Sequence, residues 1–358
     1  MDVAGAVRSF IAQANPLCLG GAAVPPELVL IARALAVPFI LFRTAPFPRF
    51  LPYLEILDQL GSERAFLAVL KAAAASGLLL LLFSRFVRLG CFLAGAAYLT
   101  GLLAYRPMQS VAHTFIACLF LIISMSSHAS GTRLFRAQVL IVYLGAVLNK
   151  ALDADWWNGR YFETFMIHRL ADPLYTWAAS ALPPMALSRF FGIATMAAQA
   201  VIAACLISRR FRVHGAVIGV FFHGAMTLMT RQTFGPFLCA VLLSYVGFFP
   251  WPDRIRFSRR SGWPQRWLER FLTWTDFDGR IELTGTAPAP KAIRVEMLGH
   301  RYEGAAALLA LALRHPLFYF AGALLLTYPW RAIPPLPVAL FLLGAARVAV
   351  DLLRQSRH

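Results

Sequence analysis

One lysine stands among chemically unusual neighbours in the stretch GAVLNKALDADWW, residues 145–157. The chain has three lysines among 34 basic residues, so the use of lysine rather than arginine at Lys150 indicates a need for an amine. A desolvated ammonium can lose its proton near neutral pH, whereas a guanidinium effectively cannot. Lys150 is therefore a candidate general base. The alternative is an interfacial lysine whose charge complements the end of its helix.

Three more ionisable residues are predicted to lie at the same end of the molecule as Lys150. His113 opens an apolar stretch, His223 lies within VFFHGAMTLM, and Arg231 follows about two helical turns later. Ionisable groups in transmembrane helices usually face the bundle interior or a water-filled cavity. We expect the histidines to orient a substrate or stabilise charge and Arg231 to hold an anion. Each histidine alone could instead be an interhelical hydrogen-bonding residue.

Acidic and aromatic residues follow Lys150 directly. Asp153, Asp155 and Trp156 are candidates for substrate binding, and the last two are predicted to shape the entrance of the site. The alternative for the aspartates is that one of them caps the next helix. The alternative for Trp156 and Trp157 is an anchor in the aromatic belt at the membrane surface.

The amino-acid composition indicates that these residues act within a lipid bilayer. The 358 residues are 59% hydrophobic and 14% charged, with a mean hydropathy of +0.63, which is typical of a multi-span membrane protein. Apolar stretches near twenty residues without period-two alternation predict helices. The net charge of +17 comes from arginines in short loops, where basic residues set orientation, so we exclude nucleic acid as a partner.

The sequence predicts an all-α integral membrane bundle of about eight transmembrane helices. Arginines fall mainly in alternate loops, which predicts that both termini are cytoplasmic. The stretch 152–188 is too polar to span and should contain interfacial helices. The predicted spans are 27–43, 64–83, 86–105, 111–127, 134–151, 189–208, 212–230 and 233–250.

The chain divides into an N-terminal segment, 1–26, a transmembrane domain, 27–252, and a basic linker with a small C-terminal region, 253–358. The apolar runs within 304–350 are short and broken by Pro or Arg, which favours a peripheral, cytoplasmic region over two further spans. The five cysteines show no metal-ligand spacing, so no metal site is predicted.

The stretch VYLGAVLNKALDADWWNGRYFETFMIHRLADPL resembles the vitamin K-dependent γ-glutamyl carboxylase and its bacterial relatives, the HTTM (horizontally transferred transmembrane) proteins. VAHTFIACLFL, GVFFHGAMTLM and FGPFLCAVLLSYVGFFPW are similar to other family segments in the same order. The resemblance covers roughly residues 25–252 and implies the family's helical bundle in a bacterial inner membrane.

The resemblance implies a chemistry in which a lysine deprotonates a reduced quinone, vitamin K. Oxygen then adds, and the resulting strong base removes the γ-proton of a glutamate so that carbon dioxide can attack. Lys150 matches the family lysine when Tyr143 is aligned, whereas alignment on DADW places Ala151 there. Val111 and Ala112 replace two asparagines of the family motif that precedes the histidine, and the large lumenal domain of the animal enzyme is absent.

Two functional alternatives follow from this resemblance, and a transporter is a third, disfavoured because the sequence shows no inverted repeat and no matching pair of Gly/Pro-broken helices. The first is an enzyme that acts on a reduced quinone, with Lys150 as base and Tyr143 among the substrate-binding residues. It would have the lipid bilayer as its surroundings and a protein substrate on the non-cytoplasmic side. The second is a non-catalytic membrane protein that binds a lipid, a quinone or a partner in the same cavity.

The C-terminal region carries a second resemblance. FLTWTDFDGRIELTG, GHRYEGAAALLALALRHP and LFLLGAARVAVDLLRQ are similar to the later part of DCC-type thiol-disulfide oxidoreductase domains, which are thioredoxin-like. Those domains exchange disulfides through a CxxC motif, and no cysteine follows Pro250, which excludes that activity here. The resemblance implies a degenerate remnant. The alternative is an ordinary amphipathic tail.

Overall fold

A computed structural model describes residues 24–42, 63–81, 83, 86–104, 111–126, 131–230, 235–249, 251–252, 254–258, 263–276, 280–284 and 293–327. A helix lies at the position of every predicted span. These helices are α1 Pro26–Phe42, α2 Glu63–Leu80, α3 Val87–Ala104, α4 Val111–Ser124, α5 Gly131–Leu152, α9 Ala186–Ile207, α10 Arg212–Thr230 and α11 Gly235–Ser244, the last continued by a 3-10 turn, Tyr245–Phe248.

Three helices in the described part of the chain are long and apolar enough to cross a membrane. They are Val87–Ala104, Thr132–Leu152 and Ala186–Ile207. A fourth span results if two C-terminal helices bent by 55° are taken together. The helical bundle is thus confirmed in its coarse form, whereas the count of about eight spans stays a prediction.

Short helices occupy the predicted interfacial stretch between α5 and α9. They are α6 Ala154–Asn158, α7 Arg160–Glu163, a π-helical turn Thr164–Arg169 and α8 Pro173–Ser180. Asp172 caps α8 through the Tyr175 backbone N–H at 2.8 Å, and Pro173 suits the first helical position. These elements cover one end of α5 and α9.

Small residues allow close helix packing in the first half of the bundle. A Cβ at Gly77 of α2 would lie 2.6 Å from the backbone nitrogen of Ala94 and 2.7 Å from the carbonyl oxygen of Gly90, both on α3. Small residues at a helix–helix contact let the two backbones approach closely. The α2–α3 pair is therefore fixed by its small residues.

Buried arginines satisfy carbonyl groups where helices end. The Arg33 Nε donates to the Leu81 carbonyl at 2.8 Å, and the Arg88 Nε donates to the Ser124 carbonyl at 2.9 Å. Arg136 donates to the Gly247 carbonyl at 2.9 Å. Carbonyls at a helix C-terminus lack intrahelical partners and carry partial negative charge, so cations are favoured there.

The C-terminal region forms a small mixed sheet, an element that the all-α prediction did not include. Its members are β1 Ile255–Ser258, α12 Trp263–Thr275, β2 Ile281–Thr284, β3 Arg294–Met297, β4 His300–Glu303 and α13 Gly304–Ala312. The strand order is β2-β1-β3-β4, with β1 and β2 parallel and the other pairs antiparallel. Phe257, Leu272 and Val295 lie in its own hydrophobic core.

The last described helix, α14 Pro316–Thr327, packs inside the bundle. Tyr319 and Ala323 are buried in the main core, where α14 contacts α1 and α11. For residues 316–327 this differs from the peripheral placement expected for 304–350, because this apolar run packs against neighbouring helices. Residues 328–350 lie outside the described residues. The predicted domain boundaries stay predictions.

Candidate functional site

One face of α5 supplies two of the predicted site residues, Tyr143 and Lys150. Tyr143, Ala146 and Lys150 are spaced by three and four residues, so they lie on the same side of the helix. Tyr143 is buried and Lys150 is half-buried. All three line one cavity of ≈ 480 Å³.

The cavity lies between α5, α9, α10, α11 and the short helices that follow α5. Its volume falls within the range of about 300–1,000 Å³ that is usual for small-molecule sites. Aromatic and aliphatic side chains form most of its wall, with few polar groups, which is the usual composition of a small-molecule site. Its aromatic residues, apart from Tyr143, are Trp156, Tyr161, Phe162, Phe165, Phe222 and Phe237.

A buried chain of hydrogen bonds joins three helical segments behind the cavity. The Tyr143 hydroxyl lies 2.6 Å from Nε2 of His223, and it also bonds to the Tyr245 hydroxyl. Gly219 makes room for this chain, because a Cβ there would overlap the Tyr245 hydroxyl. His223 is thus held in place through Tyr143 and Tyr245, and both Tyr143 and His223 line the cavity.

The Lys150 amine faces a tryptophan across the cavity. Its Nζ lies 4.8 Å from the centroid of the Trp156 ring, and it donates to the Ala146 carbonyl at 3.3 Å. A cation–π contact of this kind is worth about 0.5–2 kcal/mol, depending on solvent exposure. Lys150 is therefore held against the wall of the cavity instead of extending into water.

Trp156 reaches this position because two glycines let α6 pack tightly on α9. Gly159 has a φ of 85°, and a Cβ there would lie 2.5 Å from the backbone nitrogen of Arg189. The Trp156 carbonyl occupies the space that a Cβ at Gly192 would need. The sequence DADWWNG thus forms a short capped helix that places the Trp156 ring at the cavity.

Aromatic stacking and hydrogen bonds fix the outer wall. The Trp156 and Tyr161 rings stack with centroids 4.2 Å apart. Ser188 donates to the Glu163 carboxylate and lies 2.6 Å from the Tyr175 hydroxyl, which joins α7, α8 and α9. Burial raises the pKa of the Tyr161 hydroxyl, so this group stays protonated at neutral pH.

The two aspartates after Lys150 lie at the start of α6, and the first of them, Asp153, is its N-cap. Asp153 caps α6 by accepting from the Asp155 backbone N–H at 3.0 Å, and Asp155 lies in the first helical turn, where a negative charge is favoured. Neither lines the cavity. Their role in the geometry is to start the helix that carries Trp156.

The two remaining predicted site residues are His113 and Arg231. His113 is at the beginning of α4, partly buried, and is not among the residues that line the cavity. Arg231 lies outside the described residues. Of the predicted set, Lys150, Tyr143, His223 and Trp156 line one cavity, and His113 is not among the lining residues.

The sequence analysis missed several polar residues at the cavity: Asn149, Tyr161, Thr195 and Gln199 line it, and Tyr245 lies behind it. Gln199 of α9 lines the cavity, and among the described residues its Oε1 has no hydrogen-bond partner. An amide within an otherwise apolar helix is a recognisable signal, because polar groups in membrane spans are costly. Tyr245 gave a weaker signal, since a tyrosine near a span end is also typical of the aromatic belt.

Comparisons with protein-family models, with curated proteins and with solved structures returned no match to this chain.

Proposed function

We propose that this chain is a membrane enzyme that binds a reduced quinone in the α5 cavity and uses Lys150 as a general base. The observation that carries the proposal is the shared wall: Lys150 and the hydrogen-bonded pair Tyr143–His223 line the same aromatic cavity. A flat aromatic ring with hydroxyl groups needs apolar faces around it and a few polar partners at its edge.

The proposed proton transfer runs from a ring hydroxyl of the quinol to the Lys150 amine. The O–H bond breaks, an N–H bond forms, and the ring oxyanion is left beside the new ammonium. A phenolic hydroxyl and a lysine have similar reference pKa values of about 10, so the transfer needs little driving force. Tyr143 and His223 orient the ring, and Trp156 covers the amine.

The proposed surroundings follow the sequence resemblance. We infer that the chain lies in a bacterial inner membrane with both termini in the cytoplasm, and that a protein substrate approaches from the non-cytoplasmic side. In this orientation α6, α7 and the π-helical turn, which line the cavity, would lie at the non-cytoplasmic end. Exposed aromatic and aliphatic residues there suit a membrane surface, and they include Trp157, Leu174 and Trp177.

A second candidate function is supported by the contact between Lys150 and Trp156. An aromatic face attracts an ammonium, so the 4.8 Å contact favours the charged form of the lysine, which cannot act as a base. In this alternative the chain is a non-catalytic membrane protein that binds a lipid, a quinone or a partner in the same cavity.

For the C-terminal region we propose a thioredoxin-like remnant. The support is the order of its elements: a parallel β1-α12-β2 unit, then an antiparallel β3-β4 hairpin and the helix α13. No cysteine follows Cys239, so we assign the region no thiol chemistry. Its proposed role is structural, because α13 packs on the sheet and α14 packs in the bundle.

Replacing Lys150 by arginine tests the base assignment. Arginine keeps a positive charge near Trp156 but does not give up its proton, so Lys150→Arg should bind quinol while losing turnover by about 100-fold or more. Lys71→Arg is the matched control, because Lys71 is an exposed lysine on α2 outside the cavity. The measurements are naphthoquinol affinity and oxygen-dependent quinol consumption in nanodiscs.

The outcomes separate the two candidate functions. Turnover that falls in Lys150→Arg and persists in Lys71→Arg supports the base. If the wild-type protein binds quinol without turnover, the result supports the non-catalytic function and rejects the base. Failure of the wild-type protein to bind any naphthoquinol or ubiquinol would reject the quinone as ligand.

A further inference from the structure

Helix α13 is apolar on every side, but the sheet covers only one of them. Its sequence, GAAALLALA, contains no polar side chain. Ala307 and Leu311 face the core of the small sheet. The opposite side, which we call the outer side of α13, is exposed and consists of Ala305, Leu308, Leu309 and Ala312. A helix that is apolar all round is normally enclosed by protein or by lipid, so the outer side requires a second apolar neighbour.

The bend between α13 and α14 lies at one end of the bundle. Leu313, within the bend, packs near Val213 in the first turn of α10 and near Phe249, which directly follows the 3-10 turn after α11. The loop before α10 carries two exposed arginines, Arg209 and Arg210. Arginines at the ends of apolar helices are typical of the membrane surface. Helix α13 is bent by 55° from α14 at this level, so it does not continue along the bundle.

The second helix on the sheet, α12, carries an exposed tryptophan close to the same bend. Trp267 is 61% exposed, and its ring stacks on that of Phe271 with centroids 5.5 Å apart. The Phe271 ring stacks in turn on His315, which directly precedes α14, with 6.1 Å between centroids. Arg266 and Arg270 are exposed on the same helix. Tryptophan suits the headgroup region of a bilayer, and arginines are attracted to anionic headgroups.

The face of the sheet that α12 and α13 leave uncovered has the opposite character. Both helices pack on the face that includes Phe257 and Val295. Side chains alternate along a strand, so Arg256 and Glu296 lie on the other face, where Arg301 is the next neighbour across the strands. Arg256 and Arg301 are exposed. Charged groups of this kind are stabilised by water and are costly in hydrocarbon. The region therefore has an apolar helical side and a charged strand side.

We propose that the C-terminal region docks on the bilayer surface through its helical side. Leu308, Leu309 and Trp267 lie among the lipid headgroups, and Arg266 and Arg270 bind the phosphates of anionic phospholipids. The charges favour this partner over a second copy of the chain, because a two-fold contact would bring the arginines of both copies together. The docking does not depend on the quinol chemistry of the α5 cavity.

Tryptophan substitutions on the two sides of the region test which side contacts lipid. The full chain is placed in nanodiscs whose acyl chains carry bromine atoms near the headgroup, since bromine quenches tryptophan emission on contact. The emission that Leu308→Trp adds to that of the wild type should fall by about twofold or more in brominated lipid, because an interfacial helix buries its apolar side at this depth. The emission that Arg301→Trp adds should not change.

The conservative variant Trp267→Phe keeps an aromatic ring and should remove part of the lipid-quenched emission of the wild type. If Leu308→Trp is quenched no more than Arg301→Trp, the docking is overturned. A blue-shifted emission from Leu308→Trp without quenching would show that protein covers the outer side, and it would also overturn the docking.

Paired arginine substitutions test the contact with anionic lipid. Hydrogen exchange of the α12 amides is compared in phosphatidylcholine nanodiscs with and without phosphatidylglycerol. The anionic lipid should slow this exchange about tenfold in the wild type, because each arginine near an anionic surface adds to the binding energy. The double variant Arg266→Gln, Arg270→Gln should lose most of this slowing. The matched control, Arg254→Gln with Arg256→Gln, removes two charges near the strand side and should keep it.

Inorganic phosphate added to phosphatidylcholine nanodiscs distinguishes a lipid headgroup from a free anion. It should not slow the exchange of α12, because it offers no surface for the outer side of α13. Slowing by phosphate alone would assign the arginines to a soluble anion and overturn the lipid contact. No slowing by phosphatidylglycerol in the wild type, or an equal loss in the two double variants, would overturn it as well.

Discussion

At the scale of single residues, the position of His223 depends on two neutral side chains, those of Tyr143 and Tyr245. Tyr143 bonds both to His223 and to Tyr245, and all three side chains are buried. A buried hydroxyl that is left without a hydrogen-bond partner lowers stability by about 1–3 kcal/mol. Removing the last hydroxyl of a hydrogen-bonded chain lowers stability by only about 1 kcal/mol. The middle residue of such a chain therefore matters most.

Phenylalanine substitutions test this ranking. Tyr143→Phe should destabilise the protein more than Tyr245→Phe, because only the first leaves the Tyr245 hydroxyl buried without its bond. The free energies of unfolding can be measured by denaturation in mixed micelles. Equal losses in the two variants, or a larger loss in Tyr245→Phe, would contradict the role of Tyr143 as the bridge. The double variant should lose less than the sum of the single losses.

At the scale of elements, the turn between α5 and α9 determines where Trp156 lies. Gly159 has a positive φ and a close backbone neighbour. Each of these two features separately destabilises the fold when a side chain is added at this position. A non-glycine residue in this region of φ costs about 1–3 kcal/mol when the structure holds it there. Forced overlap with backbone atoms adds about 1–3 kcal/mol.

Alanine substitutions at two glycines separate these costs. Gly299 has a φ of 76° and nothing within 4 Å of its Cβ position among the described residues, so Gly299→Ala carries the backbone cost alone. Gly159→Ala should lower the melting temperature more than Gly299→Ala. It should also weaken naphthoquinol binding, because Trp156 moves with the turn. If the melting temperature falls equally in both variants, the close approach of the Arg189 backbone adds no destabilisation to Gly159→Ala.

The sequence predicted elements better than the contacts between them. Apolar stretches gave the position of each bundle helix, and the rarity of lysine identified Lys150. The partnership of Tyr245 with Tyr143 could not be predicted, because the two residues are 102 positions apart and nothing local indicates the pairing. The capping function of Asp153 was an open alternative, since Asx residues are common both at caps and in binding sites.

At the scale of the whole molecule, a bent pair of helices joins the sheet to the bundle. α13 contributes Ala307 and Leu311 to the small core of the sheet, and α14 contributes Tyr319 and Ala323 to the core of the bundle. The Tyr319 hydroxyl donates to the Leu313 carbonyl at 3.1 Å across the bend. The C-terminal region is therefore not an independent attachment, and its loss should affect the bundle itself.

Leucine substitutions on two faces of α14 test this integration. Ala323 is buried against α11, with the Cys239 thiol near its carbonyl oxygen, whereas Ala321 is exposed on the same helix. Because extra volume in a packed core costs about 1–3 kcal/mol, Ala323→Leu should lower the melting temperature of the whole protein by several degrees. Ala321→Leu has the same change in composition and should leave the melting temperature within about one degree. If both variants melt like the wild type, α14 is dispensable to the bundle and the region is peripheral, as the sequence alone predicted.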